Sequence, residues 1–260
     1  MLITRNFSEE ERLRLTNILQ RLQEGEPLQY ILGTAYFCGL PFHVTPATLI
    51  PRPETEELVD WAGTTSGNVL DAGTGSGCIA VAIAHRNPQA QVTAWDLSAE
   101  ALEVAAQNAA ANGVQVRFER HDMLTELPDA QSLDLIVSNP PYVCEREKAE
   151  MEEHVLRHEP ATALFVPDND PLRFYKALAR IGSHALRPGG AILMGNQPRL
   201  RSRDPCPFPK RGLHRRRTPP GRLRQRPHGE SGPQIKEEHE LNKKKKAETA
   251  PMPESVSAFF

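Results

Sequence analysis

Ser138-Asn139-Pro140-Pro141-Tyr142 stands directly after the apolar run Leu133-Asp134-Leu135-Ile136-Val137. Two prolines fix the backbone and push the preceding Asn139 out of helical conformation, so its side-chain oxygen and the Pro140 carbonyl can be held toward one point. Two convergent acceptors suit an NH2 group. Such a nitrogen is a weak nucleophile because its lone pair is delocalised, and acceptors on its hydrogens favour the form in which that pair can attack. Tyr142 offers a ring face to a planar group. If the electrophile carries its own good leaving group, the protein must chiefly align the reacting atoms, an effect worth ~7–11 kcal/mol in favourable systems. The same five residues also describe an ordinary proline-rich turn.

A second candidate is Asp71-Ala72-Gly73-Thr74-Gly75-Ser76-Gly77, between apolar Val69-Leu70 and an Ala/Ile-rich helix. Small residues there let the chain turn sharply and approach a ligand closely. A dinucleotide fingerprint would need its third glycine at Cys78, so the spacing departs from that of nicotinamide enzymes. Asp96 comes nineteen residues past Gly77 at the end of the next strand-like run, where a carboxylate can accept both hydroxyls of a ribose. Asp122 follows the third such run, and with Met123 it would meet an adenine edge and face; a solvated loop acid is the competing reading. Three acids at successive strand ends, with no lysine in the glycine loop, argue against a triphosphate and for a positively charged sulfonium nucleoside. Asp71 would then serve the loop and the amino-acid end of that cofactor.

Two more charged residues lie upstream. Arg52 and Glu54, in Pro51-Arg52-Pro53-Glu54, are candidates for substrate contact, although a proline-braced helix start with a glutamate in its first turn accounts for them equally. Glu159 would order the segment after the proline turn or touch substrate.

The elements that must position these groups follow from the apolar pattern. Ser8 with Glu11 forms a capping box, and Leu15, Ile18, Leu19 and Leu22 recur at helical spacing. Tyr36-Phe37-Cys38 and Phe42-His43-Val44 predict two short strands about Gly39-Leu40-Pro41. A helix over 54–62 should bury Leu58 and Trp61. Strand and helix then alternate: a helix stopped by Pro88, a strand at 92–95, a helix capped by Ser98 and ending at Asn112-Gly113, strands at 114–118 and 133–137, a helix over 172–186 and a strand at 191–194. This is the pattern of an α/β fold with a doubly wound, mostly parallel sheet, whose ligands sit at the carboxyl ends of the strands.

Charge is split along the chain. After Gln197 there are 16 Lys/Arg against 7 Asp/Glu, so the tail carries +9 and the body −11 within a total of −2. An acidic body is a poor counterpart for a phosphate backbone and suits a basic protein partner. Cys38, Cys78, Cys144 and Cys206 are scattered, with no C-x-x-C pair or zinc-ligand spacing, and are expected as reduced thiols with no metal. No signal-like or bilayer-length apolar run occurs, which predicts a cytoplasmic protein with no membrane association.

Leu49-Ile50-Pro51-Arg52-Pro53-Glu54-Thr55-Glu56, the loop at 73–77, Asn139-Pro140-Pro141-Tyr142, and Glu159-Pro160 with Ala163-Leu164 resemble the peptide chain release factor N5-glutamine methyltransferase family (PrmC/HemK) over residues 28–190. The resemblance implies a Rossmann-like class I fold and S-adenosylmethionine as cofactor. It further implies methyl transfer to the glutamine of the Gly-Gly-Gln loop in class I peptide chain release factors. On matching positions Asp71, Gly73, Thr74, Gly75, Ser76, Gly77, Asp96, Asp122 and Met123 would bind cofactor, with Asn139 beside it. Asn139, Pro140, Pro141 and Tyr142 would hold the glutamine. Met123 stands where the family often has an aromatic residue, which predicts weaker adenine packing.

The chain also departs from that family. Only about one helix precedes Leu28, where a larger helical domain is usual, and two further strands are expected after Met194. Residues 199–227 are instead rich in Arg and Pro and are followed by Lys243-Lys244-Lys245-Lys246. The resulting expectation is a recognition region at 1–50, a methyltransferase domain at 51–198, and a disordered basic tail at 199–260 that reads as a frameshifted or otherwise altered end. The strand at 191–194 would then be a bare apolar edge. Two rival readings use the same residues: a nucleic-acid amino methyltransferase acting on adenine or guanine, and an inactive remnant. A flipped-base enzyme should show a basic channel, which the −11 body opposes.

Overall fold

A computed structural model of the chain describes residues 7–195 and, in backbone only, 257–259. The chain divides into two compact units, Met1–Pro198 with Met252–Phe260, and Arg199–Pro251. The second lies outside the described residues, as does the tail expectation except at its last strand.

Ser8 accepts from Glu11 N while Glu11 accepts from Ser8 N, and this reciprocal cap opens α1 (Glu9–Gln23). Its apolar stripe reaches no core, since Leu15, Leu19 and Leu22 are all exposed. A short α2 (Leu28–Leu32), not foreseen in the sequence, ends on left-handed Gly33. The hairpin β1 (Thr34–Phe37) and β2 (Leu40–His43) turns at Cys38-Gly39, with φ of 50° and 77°, rather than at the expected Gly39-Leu40-Pro41. Positive φ at both central residues is what a two-residue hairpin with right-twisted strands requires.

A single helical turn at Pro53–Thr55 leads into α3 (Glu56–Ala62), which buries Leu58 and Val59. Trp61, expected on that buried face, is 48% exposed instead. Valine at 59 takes the inward position that the spacing had given to the indole.

The main sheet contains β3 (Asn68–Ala72), β4 (Gln91–Asp96), β5 (Arg117–Arg120), β6 (Leu133–Ser138), β9 (Leu186–Met194) and β10 (Ser257–Phe259). Its order is β10-β9-β6-β3-β4-β5, and every pairing is parallel. The helices α4 (Cys78–Arg86), α5 (Ala99–Ala111) and α7 (Arg173–Ala185) connect its strands. Hydrophobic residues of β3, β4 and β6 pack with α3 and α4 in one cluster, including Val69, Ile83, Val92 and Val137. In the other, Leu70, Ile136 and Ile192 meet Leu178 and Ile181 of α7. Both faces of β3 and β6 are therefore covered, which holds their carboxyl ends in place.

Between β6 and α7 lie β7 (Val143–Cys144), α6 (Glu153–His158) and β8 (Phe165–Val166); β7 and β8 form a separate parallel pair. This excursion was not foreseen. Nor was β10, which pairs Ser257 to Phe259 with Ala191 to Leu193, so the edge expected to be bare is covered over those residues. Cys38, Cys78 and Cys144 are free thiols, and among the described residues no metal-binding cluster occurs. No described helix is long and apolar enough to cross a membrane.

Candidate functional site

The strand order reverses at β3, whose neighbours are β4 on one side and β6 on the other. Ligands of open parallel sheets bind where such a reversal opens a crevice at the carboxyl ends. The glycine loop leaves β3 there and the proline turn leaves β6 there. Asp71 pairs in register with Val137, and one residue further on Ser138 Oγ donates to the Ala72 carbonyl at 2.6 Å. The two loops thus start from strand ends joined by a buried hydrogen bond.

The glycine loop is hung on β4. Gly73 N and Thr74 N both donate to the Trp95 carbonyl, at 2.8 and 2.9 Å, and Gly75 N donates to Asp96 Oδ2 at 2.8 Å. Gly73, Gly75 and Gly77 have φ of 78°, 55° and 81°, which other residues adopt at a cost. Asp71 is fully buried: its Oδ2 accepts from Thr74 Oγ1 at 2.6 Å and from Ala80 N at 3.2 Å, whereas Oδ1 has no partner. Burial drives its carboxyl pKa up to about 7 against the pull of those two hydrogen bonds. A fully buried carboxylate oxygen without a donor fits a cationic ammonium.

Asp96 accepts from Gly75 N through one oxygen and from Ser98 N, at 3.0 Å, through the other. Each oxygen keeps further acceptor capacity for ribose hydroxyls. Asp122 Oδ1 accepts from Leu124 N at 2.9 Å, and buried Met123 lies against Gly73, where an added Cβ would come within 3.0 Å of Met123 Cε. Trp95 stacks on His121 with ring centroids 4.3 Å apart, and its Nε1 donates to Glu119 at 3.0 Å. The residues present therefore fit a nucleoside that carries an ammonium group.

Asn108 joins this floor to the N-terminal hairpin. From α5 its Oδ1 accepts from His43 N at 2.6 Å, and its Nδ2 donates to the carbonyls of His43 and Ser76 at 2.9 and 2.8 Å.

On the β6 side Pro140 is buried, Pro141 and Tyr142 are half-buried, and Tyr142 packs against the Leu70–Ile136 cluster. Burial raises the Tyr142 hydroxyl pKa; nearby Arg52 opposes that shift and Glu54 adds to it. The structure thus brings Arg52, Glu54 and Tyr142 into one electrostatic neighbourhood. Arg52 donates from Nη2 to Glu159 Oε1 at 2.6 Å, and Glu159, whose side chain is 1% exposed, also accepts from Ile50 N at 3.1 Å. Glu159 accordingly braces the 50–52 segment from below. Arg52, 35% exposed at its side chain, keeps free donors toward solvent.

Three residues near the turn have a part in it that the sequence did not assign to them. Thr55 Oγ1 accepts from Asn139 Nδ2 at 3.2 Å. Ser138 makes the tie to Ala72 already described. Gly195 follows β9, donates its N–H to the Ser138 carbonyl at 2.9 Å, and has so little room that a Cβ would overlap Asn139 Oδ1. Of these only Ser138 carried a local signal, as a polar residue closing an apolar strand.

Two family models match the chain. The model of the PrmC N-terminal domain matches residues 2–33, and that of the methyltransferase small domain matches residues 55–164. Curated relatives of the chain carry the name release factor glutamine methyltransferase. The protein from Bacteroides thetaiotaomicron is 53% identical over 182 residues, covering 68% of this chain and 66% of its own length. That from Flavobacterium psychrophilum is 45% identical over 188 residues, covering 69% and 66% respectively. That from Streptococcus pneumoniae is 42% identical over 191 residues, covering 72% and 67%. The chain thus spans about two thirds of the length of these relatives, and slightly less for the first two.

Proposed function

The chain belongs to the release factor glutamine methyltransferase family, and on that premise we propose that it transfers a methyl group to the side-chain amide nitrogen of the glutamine in the Gly-Gly-Gln loop of class I peptide chain release factors. The donor is S-adenosylmethionine, which when bound supplies a sulfonium-activated methyl carbon and a neutral thioether as leaving group. The single observation that carries this reading is the turn at Asn139, set at the end of β6 and tied through Ser138 to the strand end that bears the glycine loop. That arrangement presents an amide-holding acceptor beside a nucleoside pocket.

In this reading Asp71 receives the cofactor's ammonium group, Asp96 its ribose hydroxyls, and Asp122 with Met123 its adenine. The backbone of Gly73, Thr74, Gly75, Ser76 and Gly77 lines the approach. Asn139 Oδ1 and the Pro140 carbonyl accept the two amide hydrogens of the glutamine, which keeps the nitrogen in line with the methyl carbon and raises its electron density. Pro141 holds that geometry, and Tyr142 supplies the apolar wall that excludes water. With the cofactor bound, Asn139 Oδ1 and the Pro140 carbonyl would stabilise the positive charge that develops on the amide nitrogen as it takes the methyl group, and the surplus proton would be released to solvent. Half-exposed Arg52 and exposed Glu54 take the backbone flanking the glutamine. The −11 body suits a basic protein partner and not a nucleic acid, and a substrate from the translation machinery places the enzyme in the cytoplasm.

The test is transfer of labelled methyl from S-adenosylmethionine to a purified class I release factor, comparing the chain with Asn139→Ala. Label on the Gly-Gly-Gln glutamine, reduced on the order of 10²–10³-fold in the variant with cofactor affinity unchanged, is the expected result. Equal transfer by both would remove Asn139 from the reaction, and no transfer by either would overturn the substrate assignment.

A further inference from the structure

Thr55 ends the helical turn at Pro53–Thr55 and passes into α3 with helical backbone angles (φ −70°, ψ −19°), so it is not set up for the side-chain bond to a first-turn N–H that a threonine makes at an extended N-cap. It makes no such bond here. The hydroxyl, on a residue only 8% exposed, instead meets Asn139 Nδ2 at 3.2 Å across 84 residues of sequence. The hydroxyl is thus engaged by the carboxamide of the proline turn and not by the helix it precedes. Gly195 approaches the other end of that carboxamide, so the group is held between two elements that are both outside the turn.

We infer that Thr55 is a positioning residue for methyl transfer, fixing the plane of the Asn139 carboxamide so that Oδ1 meets the NH2 group of the substrate. The inference rests on the amide-methylation reading above. A hydroxyl can accept or donate, so Thr55 alone sets the plane and not the face. An incoming NH2 has only donors to offer along that plane and therefore selects Oδ1, which leaves Nδ2 on the threonine oxygen, as the structure has it. Without the hydroxyl the carboxamide can rotate about its last torsion, which is broad and two-fold, and can present a donor to a donor.

The experiment compares Thr55→Val, which keeps the branched shape and removes the hydroxyl, with Thr55→Ser, which keeps the hydroxyl. Both are assayed on the full chain for methyl transfer to a release factor, for cofactor affinity, and by side-chain amide NMR of Asn139, identified by its loss in Asn139→Ala. Thr55→Val should lower kcat about 10–100-fold with KM for the release factor and cofactor affinity within about 2-fold. Thr55→Ser should retain most of the rate, and Thr55→Val should have no added effect in the Asn139→Ala background. The Asn139 NH2 signals should broaden or exchange faster in Thr55→Val and not in Thr55→Ser. Unchanged kcat in Thr55→Val, equal loss in both variants, or additivity with Asn139→Ala would overturn the role. If the parent chain transfers no methyl, the amide-methylation reading fails, and the NMR comparison still decides the Thr55–Asn139 hold: unaltered Asn139 signals in Thr55→Val overturn it.

Discussion

Ser138 donates its hydroxyl to the carbonyl of Ala72 at 2.6 Å, fully buried, at the last residues of β6 and β3. Ala72 precedes the glycine loop and Ser138 precedes the Asn139 turn, so this bond sets the spacing between the nucleoside floor and the amide-holding turn. Ser138→Ala leaves a buried carbonyl without its donor, at a cost of about 1–3 kcal/mol in urea unfolding. Methyl transfer should fall more than cofactor affinity does. A variant as stable as the parent would mean that water or another donor reaches the Ala72 carbonyl.

Asp71 makes both stability and cofactor affinity depend on pH. Its folded pKa of about 7 lies above the ordinary carboxylate value, so the folded state holds a proton that the unfolded state has lost. Asp71's own contribution to unliganded stability is therefore fully present below about pH 4, declines as pH rises through 7, and levels off above it, with an amplitude of on the order of 4 kcal/mol. Affinity for a cofactor with an ammonium group runs the other way, rising toward pH 7 as the carboxylate ionises. Asp71→Asn should flatten both profiles, as followed by urea unfolding and calorimetric titration between pH 5 and pH 8. A parent profile as flat as the variant's would show that Asp71 is ionised throughout.

Gly77 has φ of 81°, and a Cβ there would come within 2.9 Å of Ala105 Cβ and 3.1 Å of the Ala105 backbone. Gly77→Ala combines backbone strain with a clash against α5, and about 1–3 kcal/mol should be lost. Because the loop is bonded to Trp95 and Asp96, weaker cofactor binding should accompany the loss. Thermal unfolding with and without S-adenosylmethionine would separate the two effects.

Glu159 serves the Ile50 N–H and the Arg52 guanidinium at once. Glu159→Ala leaves the buried Ile50 donor unpaired, and about 1–3 kcal/mol should be lost; the half-exposed Arg52 loses less because water screens it. Glu159→Gln retains an acceptor and should recover part of the stability. A release-factor KM raised in Glu159→Ala with kcat little changed would place the 50–54 segment in docking, whereas an unchanged KM would confine it to support.

How much of this could be read from the sequence depends on range. Alternation of apolar runs with helix caps located β3, β4, β6, α4 and α5, because each is specified by residues within its own segment: Ser98 caps α5, and Gly113 ends it in left-handed conformation. The strand expected at 114–118 pairs at 117–120 instead, since register is chosen by β4 and not by the valines themselves. Trp61 was placed inside because spacing fixes a face but not which neighbour fills it. Thr55, Ser138 and Gly195 act on partners 84, 66 and 56 residues away, and no local pattern marks such pairings.

Trp95 ends with an optical consequence. It is only 4% exposed and stacked on His121, and its carbonyl carries both Gly73 and Thr74, while Trp61 stands 48% exposed at the far end of α3. The two indoles thus emit from dry and wet surroundings and are spectrally separable. Filling the nucleoside pocket must load the loop that hangs from Trp95, so the blue component of the fluorescence becomes a label-free gauge of cofactor occupancy, with Trp61 as its internal standard.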